Sequence, residues 1–501
     1  MNSVWQKLTL TNLSFSNSPW LNASYLYGLI NGSLHNWRRG SWLMQWGEAL
    51  GFVLLAIVFS LAPFVNTALI GLLLLAGAGF WVLLAVSDNT QEYLTPIHLL
   101  IFVYWGIATL AMATSPARMA AFSGWVKLTL YLLLFVLGAM VLRSPKLRSW
   151  LISIYLLVSL VVSFYGIRQW IDKVEPLATW NDPTSAQAGI TRVYSYLGNP
   201  NLLGGYLLPA IALSFVAIFA WRSWPQKLLA VTMLLVNCAC LRYTGSRGSW
   251  IGFIALMFAL LILMWYWWSI YMPSFWQTWS LPIAVGSFAG LLILAVVLLE
   301  PLRYRVFSVF AGRQDSSNNF RMNVWMSVFD MIRDRPVLGI GPGNDVFNKI
   351  YPLYQRPRYS ALSAYSVPLE IIVETGFIGF TAFLWLLLVT FNQGVLNLRR
   401  LRDAGDRQGY WLIGAMVAMV GLMAHGLVDT VWYRPQINTL WWLMVAIIAS
   451  YSAVPRQQAT AVRPHDDASR KRSDPATTPV ARERRPREGM RTKRGNRQQG
   501  E

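Results

Sequence analysis

Arg247 lies in Thr244-Gly-Ser-Arg-Gly-Ser-Trp250, where Gly245 and Gly248 let the backbone approach a guest and the guanidinium can grip an anion in bidentate fashion. Because the segment opens an apolar run, the same residue also fits an arginine that snorkels to lipid headgroups. Arg321 heads a predicted loop helix, where free backbone N–H groups add positive potential to its charge. Arg192 precedes the Asn199-Pro-Asn201 turn. Arg192, Arg247 and Arg321 together form a basic set able to surround a phosphate, a carboxylate or bicarbonate.

Three ionisable residues fall inside or beside apolar runs, where a charge costs about 2.5–3.5 kcal/mol on insertion scales. Glu374, in Val373-Glu-Thr-Gly-Phe-Ile-Gly379, reads either as a functional carboxylate or as an arginine partner that ties helix ends together. His425 and Asp429 are four apart, which places them on one helix face as a hydrogen-bonded packing pair or a proton relay. His35, His98, His425 and His465 show no pair at metal-ligand spacing, so no metal and no other cofactor is expected. Cys238 and Cys240 point in different directions on a helix and read as small packing residues. The turn Gly339-Ile-Gly-Pro-Gly-Asn344 lacks the Lys-Ser/Thr of a phosphate loop, which excludes nucleotide binding.

The elements that must hold these residues are membrane spans. The chain is 55% hydrophobic and 13% charged, with 25 tryptophans and mean hydropathy +0.42, too apolar to cover a soluble globule. About twelve apolar stretches between residues 45 and 453 reach the ~20 residues that a span needs. The expected fold is therefore an all-α polytopic bundle, with a transmembrane domain over 41–453 preceded by an interfacial segment over 1–40. Residues 1–39 lack a cleavable signal pattern.

Counting spans from an N-terminus inside puts Arg143, Lys146, Arg148, Arg399, Arg400, Arg402 and the basic tail in the cytoplasm, as the positive-inside rule favours. The expected location is the inner membrane, with both termini cytoplasmic. Residues 168–200, the connection holding Arg242 and Arg247, and the long loop 300–368 then fall outside. Within that loop Met322, Trp325, Phe329 and Ile332 recur at helical spacing. Asn318 or Asn319 can cap this helix and Pro336 can end it. Residues 454–501 are rich in Arg, Pro, Ser, Thr and Asp and cannot repay ordering entropy, so a disordered tail attracted to anionic membrane lipids is expected. The +20 net charge is partly a property of this tail and does not call for nucleic acid as a partner.

Several ordered motifs over about 190–440 resemble the O-antigen ligase and polymerase superfamily: Asn199-Pro-Asn, Thr244-Gly-Ser-Arg-Gly-Ser, Arg321 with Trp325, Asp334-Arg-Pro-Val-Leu-Gly-Ile-Gly-Pro-Gly-Asn344 and Val373-Glu-Thr-Gly-Phe-Ile-Gly379. Within it, Ser363-Ala-Tyr-Ser-Val-Pro-Leu-Glu370 is most similar to the cyanobacterial IctB-like proteins of inorganic carbon accumulation. That resemblance implies a bicarbonate or other anion guest and leads the sequence-based reading. The ligase resemblance implies instead a glycosyltransferase acting on an undecaprenyl-diphosphate-linked glycan, with Arg247 and Arg321 matching the family's diphosphate-holding arginines. The family's catalytic histidine falls at Tyr365 and its neighbouring asparagine at Ser366. Tyrosine, with an ordinary pKa near 10, is a poor base near neutral pH, which leaves Glu370 or Glu374 as alternative acid/base groups.

Overall fold

The computed structural model describes residues 2–11, 40–41, 45–87, 94–175, 191–300, 303, 306–307 and 312–452. The 454–501 tail, most of the 1–40 segment and the acidic connection 88–93 lie outside the described residues. Within them the chain is helical and holds no strand. The elements are α1 (Asn2–Leu8), α2 (Gly47–Leu61), α3 (Thr67–Ser87), α4 (Pro96–Ala113), α5 (Arg118–Val141), α6 (Pro145–Ile171), α7 (Pro200–Ala220), α8 (Trp224–Thr244), α9 (Arg247–Trp268), α10 (Ser274–Leu298), α11 (Ser316–Asp334), α12 (Asn344–Ile350), α13 (Val367–Asp403), α14 (Gln408–Gly426) and α15 (Pro435–Ser450).

Ten of these helices, α3 to α10 with α13 and α14, are long and apolar enough to cross a membrane. The other two expected spans form as α2 and α15, at 15 and 16 residues. Local chemistry sets the boundaries. Proline occupies the first turn of α4, α6, α7, α8, α13 and α15, where its missing N–H has no partner to lose. Side-chain oxygens of Ser144, Asn199 and Ser246 accept from the first-turn N–H groups of α6, α7 and α9, satisfying donors that a helix start leaves free.

The helices α7 and α14 form the inner axis of the bundle, buried almost along their whole length, whereas α10 buries none of its residues. Leu203, Tyr206, Leu207, Leu412, Met416 and Met419 are among the core side chains shared along this axis. Cys240 is buried with its Sγ against Gly166, and Cys238 is half-buried beside the same core; both thiols are free.

A second, smaller core forms where the 312–366 segment folds back. Val324, Val328 and Met331 of α11 pack with Phe347, Tyr351, Ile340 and Val373. The buried face of α11 is thus offset from the expected one: Phe329 is 55% exposed and Met322 only half-buried. Asn323 and Ser327 take the inward positions because each bonds the carbonyl four residues back, which satisfies its polar group without leaving the helix. The helix also starts earlier than Asn318 or Asn319. Its cap is Asp315, which accepts from the Asn318 N–H at 2.9 Å.

The helix α13 breaks at Gly376, whose φ of 68° and ψ of −174° interrupt the helical run. A Cβ there would collide with the Val337 carbonyl, so glycine is required both for the backbone angle and for the close approach. The turn 339–344 is clamped onto this break by Ile340 N–H to Val373 O at 2.8 Å, Gly341 N–H to Glu374 O at 2.9 Å and Phe377 N–H to Pro336 O at 2.8 Å. From the other side, Lys127 and Ser123 of α5 bond Asp345 at 2.8 and 3.1 Å.

Candidate functional site

One end of the bundle gathers the predicted residues. Arg247, the first residue of α9, donates to Asp315 at 2.9 Å, and Arg321 donates to Ser317 Oγ at 2.9 Å. Asp315 and Ser317 are the cap and second residue of α11, so the first turn of this helix holds both guanidinium groups together. Asp315 is the member of this cluster that sequence reasoning missed. It is 68 positions from Arg247, and its only signal was an acidic residue ahead of a helical pattern. Burial pushes its carboxyl upward, but hydrogen bonds from Arg247 and the Asn318 N–H, with the Arg247 and Arg321 charges, hold it below the usual carboxylate range.

Arg321 is held largely away from solvent. Burial pulls its pKa down, the Asp429 carboxylate acts against that, and the neighbouring Arg247 charge adds to it. Its Nε has no hydrogen-bond partner among the described residues. A buried donor left in this state costs about 1–3 kcal/mol. Two like charges held side by side with an unspent donor suit a polyanionic guest.

Arg192 serves the pair from behind. Its Nε bonds Thr244 O at 3.0 Å and its Nη2 bonds Asn201 Oδ1 at 3.1 Å. It thereby ties the end of α8 to the start of α7 and fixes the short connection leading into Arg247.

Tyr365 stands at φ +51°, a left-handed conformation that a bulky residue adopts only when its surroundings impose it. Glu370 accepts the Ala364 N–H at 2.6 Å, and the Trp325 indole donates to Ala364 O at 3.0 Å. These two bonds hold Ala364, the residue before Tyr365, by both its N–H and its C=O. Ser366 is the N-cap residue of α13 and makes no side-chain cap bond. Burial, followed by the Asp429 charge, pushes the Tyr365 phenol up to about 12. At neutral pH it keeps its proton and can donate a hydrogen bond but not serve as a base.

Among the described residues Glu374 pairs with no arginine. Its Oε1 accepts the Gly343 N–H at 2.9 Å, because the glycine turn, folded over the α13 break, brings a free donor nearer than any guanidinium. His425 and Asp429 also depart from the expected hydrogen-bonded pair. The helix α14 ends at Gly426, so four-residue spacing no longer places the two on one helix face, and neither ring nitrogen of His425 has a hydrogen-bond partner among the described residues. Asp429 is buried instead near Arg321 and Tyr365. Among the described residues no three His, Cys, Asp or Glu side chains gather at metal-holding distance.

The site therefore combines Arg247, Arg321, Tyr365 and Asp429 around the first turn of α11, with Arg192, Glu370 and Glu374 as its supports. A search of curated proteins finds no match to the chain. Residues 230–384 match the family model described as O-Antigen ligase, and this segment, similar to that family, carries Arg247, Asp315, Arg321, Tyr365, Glu370 and Glu374.

Proposed function

We propose that this chain is a multi-pass membrane glycosyltransferase of the O-antigen ligase type that acts on a lipid-linked glycan. The observation that carries the reading is the meeting of Arg247 and Arg321 on the first turn of α11, inside the segment similar to the ligase family. Two guanidinium groups at one spot match the charge of a diphosphate. They gain most when that diphosphate leaves and its charge grows, which is the condition for lowering a barrier rather than only binding. The membrane-embedded bundle suits a donor whose lipid tail stays in the bilayer, such as an undecaprenyl diphosphate glycan. In this reading the arginine end of the bundle faces away from the cytoplasm, as the charge count of the other connections favours. Tyr365, a donor at neutral pH, helps to hold the diphosphate or glycan oxygens. The IctB-like reading of bicarbonate accumulation draws no support from the family match.

The test uses purified full-length protein in liposomes, supplied with an undecaprenyl-diphosphate-linked oligosaccharide and candidate glycan acceptors. Transfer that disappears in Arg321→Ala supports the proposal. Uptake of labelled bicarbonate that depends on Arg247, without any transfer of glycan, sinks it.

A further inference from the structure

His425 is the buried titratable group that the diphosphate grip leaves unused. Its ring is fully buried at the last turn of α14, with neither Nδ1 nor Nε2 bonded among the described residues. Backbone walls it on two sides. A Cβ at Gly248 would lie 2.7 Å from its Cδ2 and 3.1 Å from its Nε2, and a Cβ at Gly205 would lie 3.3 Å from its Nδ1. Gly248 is the residue after Arg247, so the imidazole lies against the first turn of the helix that Arg247 opens.

The neighbouring polar atoms share its condition. Ser249 Oγ, one residue further along α9 and pressed on Gly204, is buried without a partner, as is Arg321 Nε. Unpartnered polar atoms thus occur on three separate helices, α9, α11 and α14, with Gly248 of α9 against the imidazole and the Arg321 charge close enough to act on it. Native interiors rarely leave such atoms unsatisfied, and a group of them marks a place for a hydrogen-bonding guest. Donors and acceptors occur together here, as a hydroxyl group requires and as a purely anionic guest does not.

Resting on the glycosyl-transfer reading above, we propose that this polar cluster receives the hydroxyl of a glycan acceptor, with His425 as the base that takes its proton. The acceptor oxygen forms a new bond to the anomeric carbon of the donor sugar, and the bond from that carbon to the diphosphate oxygen breaks. The bonding pair leaves with the diphosphate, whose charge Arg247 and Arg321 meet. The hydroxyl proton passes to the free lone pair of the imidazole. Tyr365, which already carries its proton, is not needed as an acceptor. The charged groups facing His425 are Asp429, from the segment after α14, and Arg321, from α11. The helices α7 and α9 meet the ring with glycine.

The experiment measures donor binding, with undecaprenyl diphosphate as probe, and single-turnover glycan transfer as a function of pH in the full chain. His425→Gln is expected to bind the probe within about twofold of wild type, to lose about 10²–10³ in transfer rate and to lose the acidic limb of the pH profile. His425→Ala with added imidazole is expected to recover at least tenfold of that loss, a response that a purely structural histidine does not give. Transfer by His425→Gln within threefold of wild type, or a loss in His425→Ala that imidazole leaves untouched, overturns the assignment. Wild-type protein that binds the probe and transfers nothing removes the glycosyl-transfer reading, and this proposal with it.

Discussion

The protein buries arginine at both ends of its bundle and treats the guanidinium differently at each. Arg148, near the start of α6, is 3% exposed. It donates to Leu142 O and Ser450 Oγ at 3.1 Å each, reaches Gln408 Oε1 at 3.0 Å, and stacks on the Tyr451 ring at 3.7 Å. Its bonds go to neutral acceptors and join α6, α14 and α15, so its charge is consumed in holding helices. Arg321 and Arg247, at the other end, lie close enough for the charge of one to act on the other, and Arg321 Nε has no hydrogen-bond partner among the described residues. What distinguishes Arg148 from Arg321 is that these bonds of the first go to helix-joining acceptors while the second keeps a buried donor without a partner among the described residues, and under the proposed function that donor is available to a guest.

The largest effect that breaks this comparison is on transfer. Arg321→Ala and Arg247→Ala are each expected to lower the rate by about 10²–10³, measured by single turnover on the lipid-linked donor. Arg148→Lys should leave it within twofold. Equal losses at both ends would erase the distinction.

Next in size is Gly376→Ala, which forces a Cβ onto the Val337 carbonyl in a left-handed backbone. A destabilisation of about 2–4 kcal/mol is expected in a tryptophan-fluorescence melt, along with a weakened hold of the 339–344 turn. A melt unchanged from wild type would mean that the α13 break is not fixed by this clash.

Asp315→Asn removes the charge that joins Arg247 to α11 while keeping a cap, and should cost about 1 kcal/mol. Its pH dependence has a definite sign. The carboxyl is held below its unfolded value near 3.9, so its stabilisation is fully present above that pH and is lost as pH falls through the folded value. Melting between pH 3 and pH 6 should therefore shift less in Asp315→Asn than in wild type.

The smallest expected change is that of Tyr365→Phe, which keeps the ring against Phe320 and removes one donor. A reduction of threefold to tenfold in transfer is expected, about the worth of one hydrogen bond. A loss as large as that of Arg321→Ala would return the proton-handling role to Tyr365.

Much of this was legible from composition and spacing. Apolar runs, proline at helix starts and glycine in Val373-Glu-Thr-Gly-Phe-Ile-Gly379 are local signals, and each of the twelve expected spans forms as a helix, two of them short. The buried face of α11 was misread because periodicity weighs Phe329 and Met322 as apolar, and it cannot see that Asn323 and Ser327 satisfy themselves on their own helix. The pairing of His425 with Asp429 failed for a related reason: four-residue spacing implies a shared face only while the helix continues, and α14 stops at Gly426.

The sequence alone determined that the chain is a helical membrane bundle and that arginines cluster on its connections, because hydropathy and charge act residue by residue. Which of those arginines meet at one helix start was decided only by the tertiary structure. Asp315 meets Arg247 across 68 positions, Glu374 finds the Gly343 N–H rather than an arginine, and His425 settles between glycines of α7 and α9. Partners of this kind are selected by distance in the folded chain, and hydrogen bonds and charge pairs of a few ångströms leave no trace in spacing along it.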